Sequence, residues 1–160
     1  MLLKKAYYYF YYQLYKSTNT SSIFSRSFRA SLYLDILFIL IGFSGLNIYG
    51  TFIEPGFDIG NGSLGIILYI VFVLIPNYFI FEHKDQWKYI VNEFDKLPKK
   101  TNQAGRLISY SIVTLIVASF IFSIYLMDQN AKANHTGPYS KEYLENERIK
   151  DSILNQRHKN

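Results

Sequence analysis

Three stretches of this chain read as membrane-crossing helices, and they constrain everything else it can fold into. Leu32 to Ile53 (LYLDILFILIGFSGLNIYGTFI) carries one charge, while Leu64 to Phe81 (LGIILYIVFVLIPNYFIF) and Leu107 to Met127 (LISYSIVTLIVASFIFSIYLM) carry none. At about 1.5 Å per residue, runs of this length match a hydrocarbon core of roughly 30 Å. No water reaches the backbone there, so each run must pair its own N–H and C=O groups, as a helix does. The predicted class is all-α: an integral membrane protein with three transmembrane helices, a cytoplasmic amphipathic helix, a Tyr-rich interfacial N-terminal segment and a short C-terminal helix. The expected divisions are 1–31 for the Tyr-rich segment and linker, 32–127 for the three-span bundle, and 128–160 for a polar tail.

Orientation follows from the Lys and Arg residues in the short flanks. Lys4, Lys5, Lys16, Arg26 and Arg29 precede the first span with no acidic residue among them, whereas the loop from Glu54 to Ser63 has Glu54 and Asp58 and no basic residue. The N-terminus is therefore expected in the cytoplasm. Lys84, Lys88, Lys96, Lys99, Lys100 and Arg106 return the second loop to the same side, and parity puts the tail outside. No apolar core with a small-residue cleavage site precedes Leu32, so a cleaved signal peptide is not expected. The net charge of +5 sits beside the spans, which points to anionic lipid and away from nucleic acid.

The segments between the spans carry the remaining pattern. AYYYFYYQLY, Ala6 to Tyr15, is bracketed by lysines and predicts a helix in the headgroup layer with wet hydroxyls; an aromatic tail packed on the bundle is the alternative. In the predicted helix 82–97, Trp87, Ile90, Val91, Phe94 and Leu97 fall on one stripe opposite a charged face. That stripe is either a docking face for a cytoplasmic protein or a surface packed on the membrane or on the N-terminal segment. Pro98 and the polar residues after it should end this helix. A Gly137-Pro138 turn, with Ser140 as N-cap, introduces a short solvated helix in the tail.

Within the spans few residues can carry chemistry. Asp35 is the one ionisable side chain there; an intramembrane carboxylate suggests a proton relay, but its place near the start of its helix also suits a structural anion. Pro76 removes a backbone donor deep in the second span, which predicts a kink, with Asn77 beside it as an interhelical hydrogen-bonding residue. Ser111, Thr114 and Ala118 on the third span, and Gly42, Ser44 and Gly45 on the first, offer small-residue contact faces. The chain has no cysteine, and its three histidines show no ligand spacing, so no metal site and no cofactor is implied. No phosphate loop, nucleophile elbow or carboxylate pair stands at usable spacing, so the chain is read as not an enzyme.

The N-terminal KKAYYYFYYQLYK, the run NYFIFEHKDQWKYIVNEFDKLPKK from Asn77 to Lys100 and the third-span exit FIFSIYLM together resemble small uncharacterised three-span inner-membrane proteins of Bacteroidota-type bacteria. The resemblance covers about residues 1–127 and stops at the tail. It implies a bacterial inner membrane and no established activity, so it carries no catalytic or binding residue with it; some such proteins look like neighbours of secreted-toxin genes, which implies an immunity role. The leading expectation is a non-enzymatic interaction protein that contacts the bilayer and either a protein partner or further copies of itself. A small oligomeric transporter or channel subunit is the alternative.

Overall fold

A computed structural model describes residues 2–18, 23–54 and 63–157, with the side chains of 63 and 152–157 excepted. Asp58, most of its loop, His158, and the side chains of Ile153 and Leu154 lie outside the described residues. Within them the chain is helical and has no strand. The α-helices are α1 (Leu2–Ser17), α2 (Arg26–Phe52), α3 (Ser63–Asn77), α4 (Gln86–Asp95), α5 (Lys99–Asn134) and α6 (Lys141–Arg157). Three helical stretches, built on α2, α3 and α5, are long and apolar enough to cross a membrane.

The first span begins earlier than hydropathy suggests. The Ser25 hydroxyl accepts the Phe28 N–H at 3.2 Å, an N-cap that starts α2 at Arg26, well before Leu32. The small residues Ser27, Ala30 and Ser31 of this added stretch are buried. At the other end Ile53 and Glu54 both donate to the Tyr49 carbonyl, at 2.9 and 3.1 Å, and the helix closes there.

Pro76 lies inside α3, as its sequence position requires, and the expected kink takes a specific form. Directly after Asn77 the helix widens to a π-turn over Tyr78–Glu82, then tightens to a 3₁₀ turn at His83–Asp85. A proline that removes one hydrogen bond makes such a change of pitch inexpensive. Lys84 and Asp85 then adopt left-handed backbone conformations, with φ of 54° and 58°. The helix expected over 82–97 is thereby shortened to α4, and the chain turns back against α1. Pro98 does separate two helices, but the polar stretch after it is no linker: Lys99 already starts α5, which continues to Asn134.

α2 is the central element. α5 runs along it, α3 leans on it, and α1 and α4 gather at the end where α2 and α5 begin and α3 finishes. The buried apolar core sits at this end, around Tyr11, Tyr12, Leu34, Phe81 and Ile90. Farther along the spans, α3 and α5 present exposed Leu, Ile and Phe on their outer faces, the surface that lipid tails cover.

Candidate functional site

The most constructed part of the molecule is the packing of the Tyr-rich helix. α1 is the helix expected of AYYYFYYQLY, but Tyr11 and Tyr12 are 0% and 2% exposed, so these rings are buried in protein and not laid in the acyl boundary. The physical reason is that α1 packs on α2 and α5 as well as on α4, which the turn at Lys84 and Asp85 brings over it, so protein covers the face that lipid would otherwise cover.

α1 is held at three levels. At the deepest, the Tyr7 hydroxyl donates to the Asn77 side-chain oxygen, and the Asn77 amide donates to the Asp35 carboxylate. Asp35 and Asn77 are both buried, so an intramembrane carboxylate is satisfied by an amide that is oriented in turn by a phenol. At the middle level the Tyr11 ring stacks on Phe81, with centroids 3.9 Å apart and planes 9° from parallel. Beside it Glu82 accepts from Ser27 at 3.1 Å and from Ser31 at 2.9 Å, fastening the π-turn to α2.

At the third level α1 meets α4 and the start of α5. Tyr12 donates to Asp95 at 2.7 Å, and Lys16 forms an ion pair with the same carboxylate oxygen at 2.7 Å. The Tyr9 hydroxyl donates to the Thr101 carbonyl at 3.1 Å and to the Asn102 side chain at 3.2 Å. Gly105 makes this approach possible: a Cβ there would collide with the Tyr9 ring and hydroxyl. Asn102 also donates to the Phe94 carbonyl at 3.3 Å, tying α5 to α4 across Pro98.

Burial and neighbouring carboxylates set the ionisation of this layer. Burial, and then the Glu82 charge, push the Tyr11 hydroxyl well above the usual phenol range. Burial, and then the bond to Asp95, do the same for Tyr12. For Asp95 burial acts upward, but the bonds from Lys16 and Tyr12 together with the Lys16 charge outweigh it and hold the carboxyl low. Tyr11 and Tyr12 are therefore neutral phenols at neutral pH, one donating to the Ser27 carbonyl and the other to the Asp95 carboxylate, an arrangement that suits positioning.

The sequence-predicted residues separate into two groups. Asp35 and Asn77 come together, with Pro76 exposed one residue before Asn77, and Ile90, Val91 and Phe94 are buried against α1 with Trp87 and Leu97 half-buried beside them. The stripe of α4 is thus an internal surface, not a docking face. Gly42 and Ser44 also work within the chain: Gly42 gives room to the Tyr69 ring, whose hydroxyl donates to the Phe38 carbonyl at 2.6 Å. Ser111, Thr114 and Ala118, in contrast, are exposed on α5 and stand apart from Asp35 and Asn77.

Several structural side chains escaped the reading of the sequence. Asn47 on α2 donates to Ser123 on α5 at 3.1 Å, both buried, and a polar pair at equivalent depth in two spans was a usable signal. Asn102 and Gly105 gave no such signal, because each depends on the return of α1, and Glu82 gave none because it depends on the π-turn that sets it against Ser27 and Ser31. Compared with known proteins, the chain matches no family model, no curated protein and no solved structure, so its own geometry carries what can be said of its role.

Proposed function

We propose that this chain is a non-enzymatic interaction protein of a bacterial inner membrane, with α1 and α4 on the cytoplasmic side and α6 displayed in the periplasm. The observation that carries the reading is the contrast between its two ends. Tyr7, Asp35, Asn77, Tyr12 and Asp95 at the α1 end bond one another, whereas every described side chain of α6, from Lys141 to Asp151, is exposed. Ser140 caps α6, its hydroxyl accepting the Tyr143 N–H at 3.2 Å. Tyr139 bonds Asp128 on α5 at 2.7 Å, so the helix is presented from a fixed turn. Leu144 and Ile149 stand exposed on it, at 45% and 51%. A solvated helix tied to a membrane anchor is a suitable element for holding a protein partner, and an immunity or accessory role of the kind implied by the resemblance would use it.

Photo-crosslinking residues placed at Leu144 and Ile149 in cells of the source organism test this. The expected result is a discrete protein adduct from both positions and none from Leu115 on the lipid-facing side of α5. Lipid adducts alone from all three positions would contradict it. One observation favours the second reading, a small transporter or channel subunit: Asp35 and Asn77 do meet inside the bundle. The hydroxyls of Ser111 and Thr114 are not beside them, so such a path would need further copies of the chain. Solute or ion flux in proteoliposomes that is unchanged by Asp35→Asn would eliminate it.

A further inference from the structure

A cavity of about 470 Å³ opens where the end of α1 and the starts of α2 and α4 converge. Two aromatic rings wall it: Tyr15 and Trp87 stack with centroids 5.6 Å apart. Arg26 and Arg29 line it with cationic side chains. Arg26 is set in place, since its Nε donates to the Thr18 carbonyl at 3.2 Å and its guanidinium lies 5.7 Å from the Tyr15 centroid. The terminal amino groups carry its remaining donors, in the planar fork that suits phosphate oxygens.

The surrounding charges leave the cavity cationic. Glu82, a carboxylate that accepts from the cavity-lining Ser27 and from Ser31, offsets one of the two arginine charges and leaves the other. Lys88 lies 5.6 Å from the Trp87 ring and is paired with Asp85 at 2.6 Å. At the rim, Ile23 is 99% exposed and Phe24 60%. Two large apolar side chains are poor neighbours for water but good ones for acyl chains. Arg26 is also the first residue of α2 and so stands at the membrane-entry end of its span, at headgroup depth.

We propose that this cavity binds the phosphate of an anionic phospholipid, with Arg26 and Arg29 on the phosphate diester, Tyr15 and Trp87 as its walls, and Ile23 and Phe24 against the acyl chains. A soluble phosphate would share the arginines but has no use for the apolar rim. The site is separate from α6 and stands whether or not the tail holds a partner.

Trp87 is the only tryptophan of the chain, so its fluorescence reports on the cavity without a label. The full chain is placed in phosphatidylcholine nanodiscs containing a minor fraction of bromine-labelled lipid, either phosphatidylglycerol or phosphatidylcholine. Brominated phosphatidylglycerol is expected to reach half-maximal quenching at roughly thirtyfold lower mole fraction, the preference that two basic residues at a membrane surface provide. The R26Q/R29Q variant should lose that preference. K4Q/K5Q, which removes the same charge from the far end of α1, should keep it. Should the double variant not fold, R26Q and R29Q singly are each expected to reduce the preference severalfold. Equal quenching by the two lipids, a preference unchanged in the arginine variants, or an equal loss in K4Q/K5Q overturns the proposal. Displacement of phosphatidylglycerol by millimolar inorganic phosphate would assign the cavity to a soluble ligand and overturn it as well.

Discussion

Replacing Asn77 by leucine, a residue of similar volume that suits a transmembrane helix, isolates the bonds that this amide makes to Asp35 and Tyr7. The variant leaves a buried carboxylate and a half-buried phenol without their shared partner, and is expected to lose about 1–3 kcal/mol of stability. Asp35→Asn keeps a hydrogen-bonding group at the contact and should cost less than Asn77→Leu. Unfolding of the purified protein by SDS in mixed micelles measures both. An Asp35→Asn loss larger than that of Asn77→Leu would mean that the charge of Asp35, and not its bond to Asn77, is what the bundle needs. Gly105 provides a second test at this scale. Even alanine forces the Tyr9 ring out of its bonds to Thr101 and Asn102, and the overpacking should cost about 1–3 kcal/mol in the same assay.

The turn at Lys84 and Asp85 is the element on which the packing of α1 depends. Left-handed backbone costs a non-glycine residue roughly 1–2 kcal/mol, so Lys84→Gly is expected to stabilise the protein by up to about 1 kcal/mol. A destabilised Lys84→Gly would show that the Lys84 side chain contributes more than its backbone costs. The contact between α1 and α4 should also depend on pH. Asp95 has its carboxyl held low in the folded state, so its contribution is present above the unfolded carboxylate value and is lost as pH falls through the lower folded one. Protection of the α1 amides, taken relative to the intrinsic exchange rate at each pH, should therefore fall in acid, below about pH 4, and Asp95→Asn should remove that fall. Tyr11 and Tyr12 act at the other extreme. Their hydroxyls are raised, so their contribution is complete below the ordinary phenol value and lost as pH climbs above it. Absorbance titration should show phenols that ionise only when the protein unfolds.

At the scale of the whole molecule, the spans were legible because hydrophobicity is a local property that each stretch carries by itself. The kink at Pro76, the cap at Ser140 and the stripe through Ile90 and Phe94 were legible for the same reason. What the stripe packs against was not, since the answer lay in α1, far away in sequence and joined to it only through a left-handed turn that neither Lys84 nor Asp85 advertises. Composition also misdirected the reading of α1. Tyrosines that suit a lipid interface suit a protein interface equally, and only the position of α4 decides between them. α1 and α4 close one end of the three-span bundle, and α6, whose described side chains are exposed, is proposed to lie across the membrane from them. Because the chain has no cysteine, single cysteines can be placed at Lys4, Lys100 and Lys150 and labelled with a membrane-impermeant maleimide. Lys4 and Lys100 should react in inverted vesicles and Lys150 only from the opposite face. Labelling of Lys100 and Lys150 from the same face would contradict the claim.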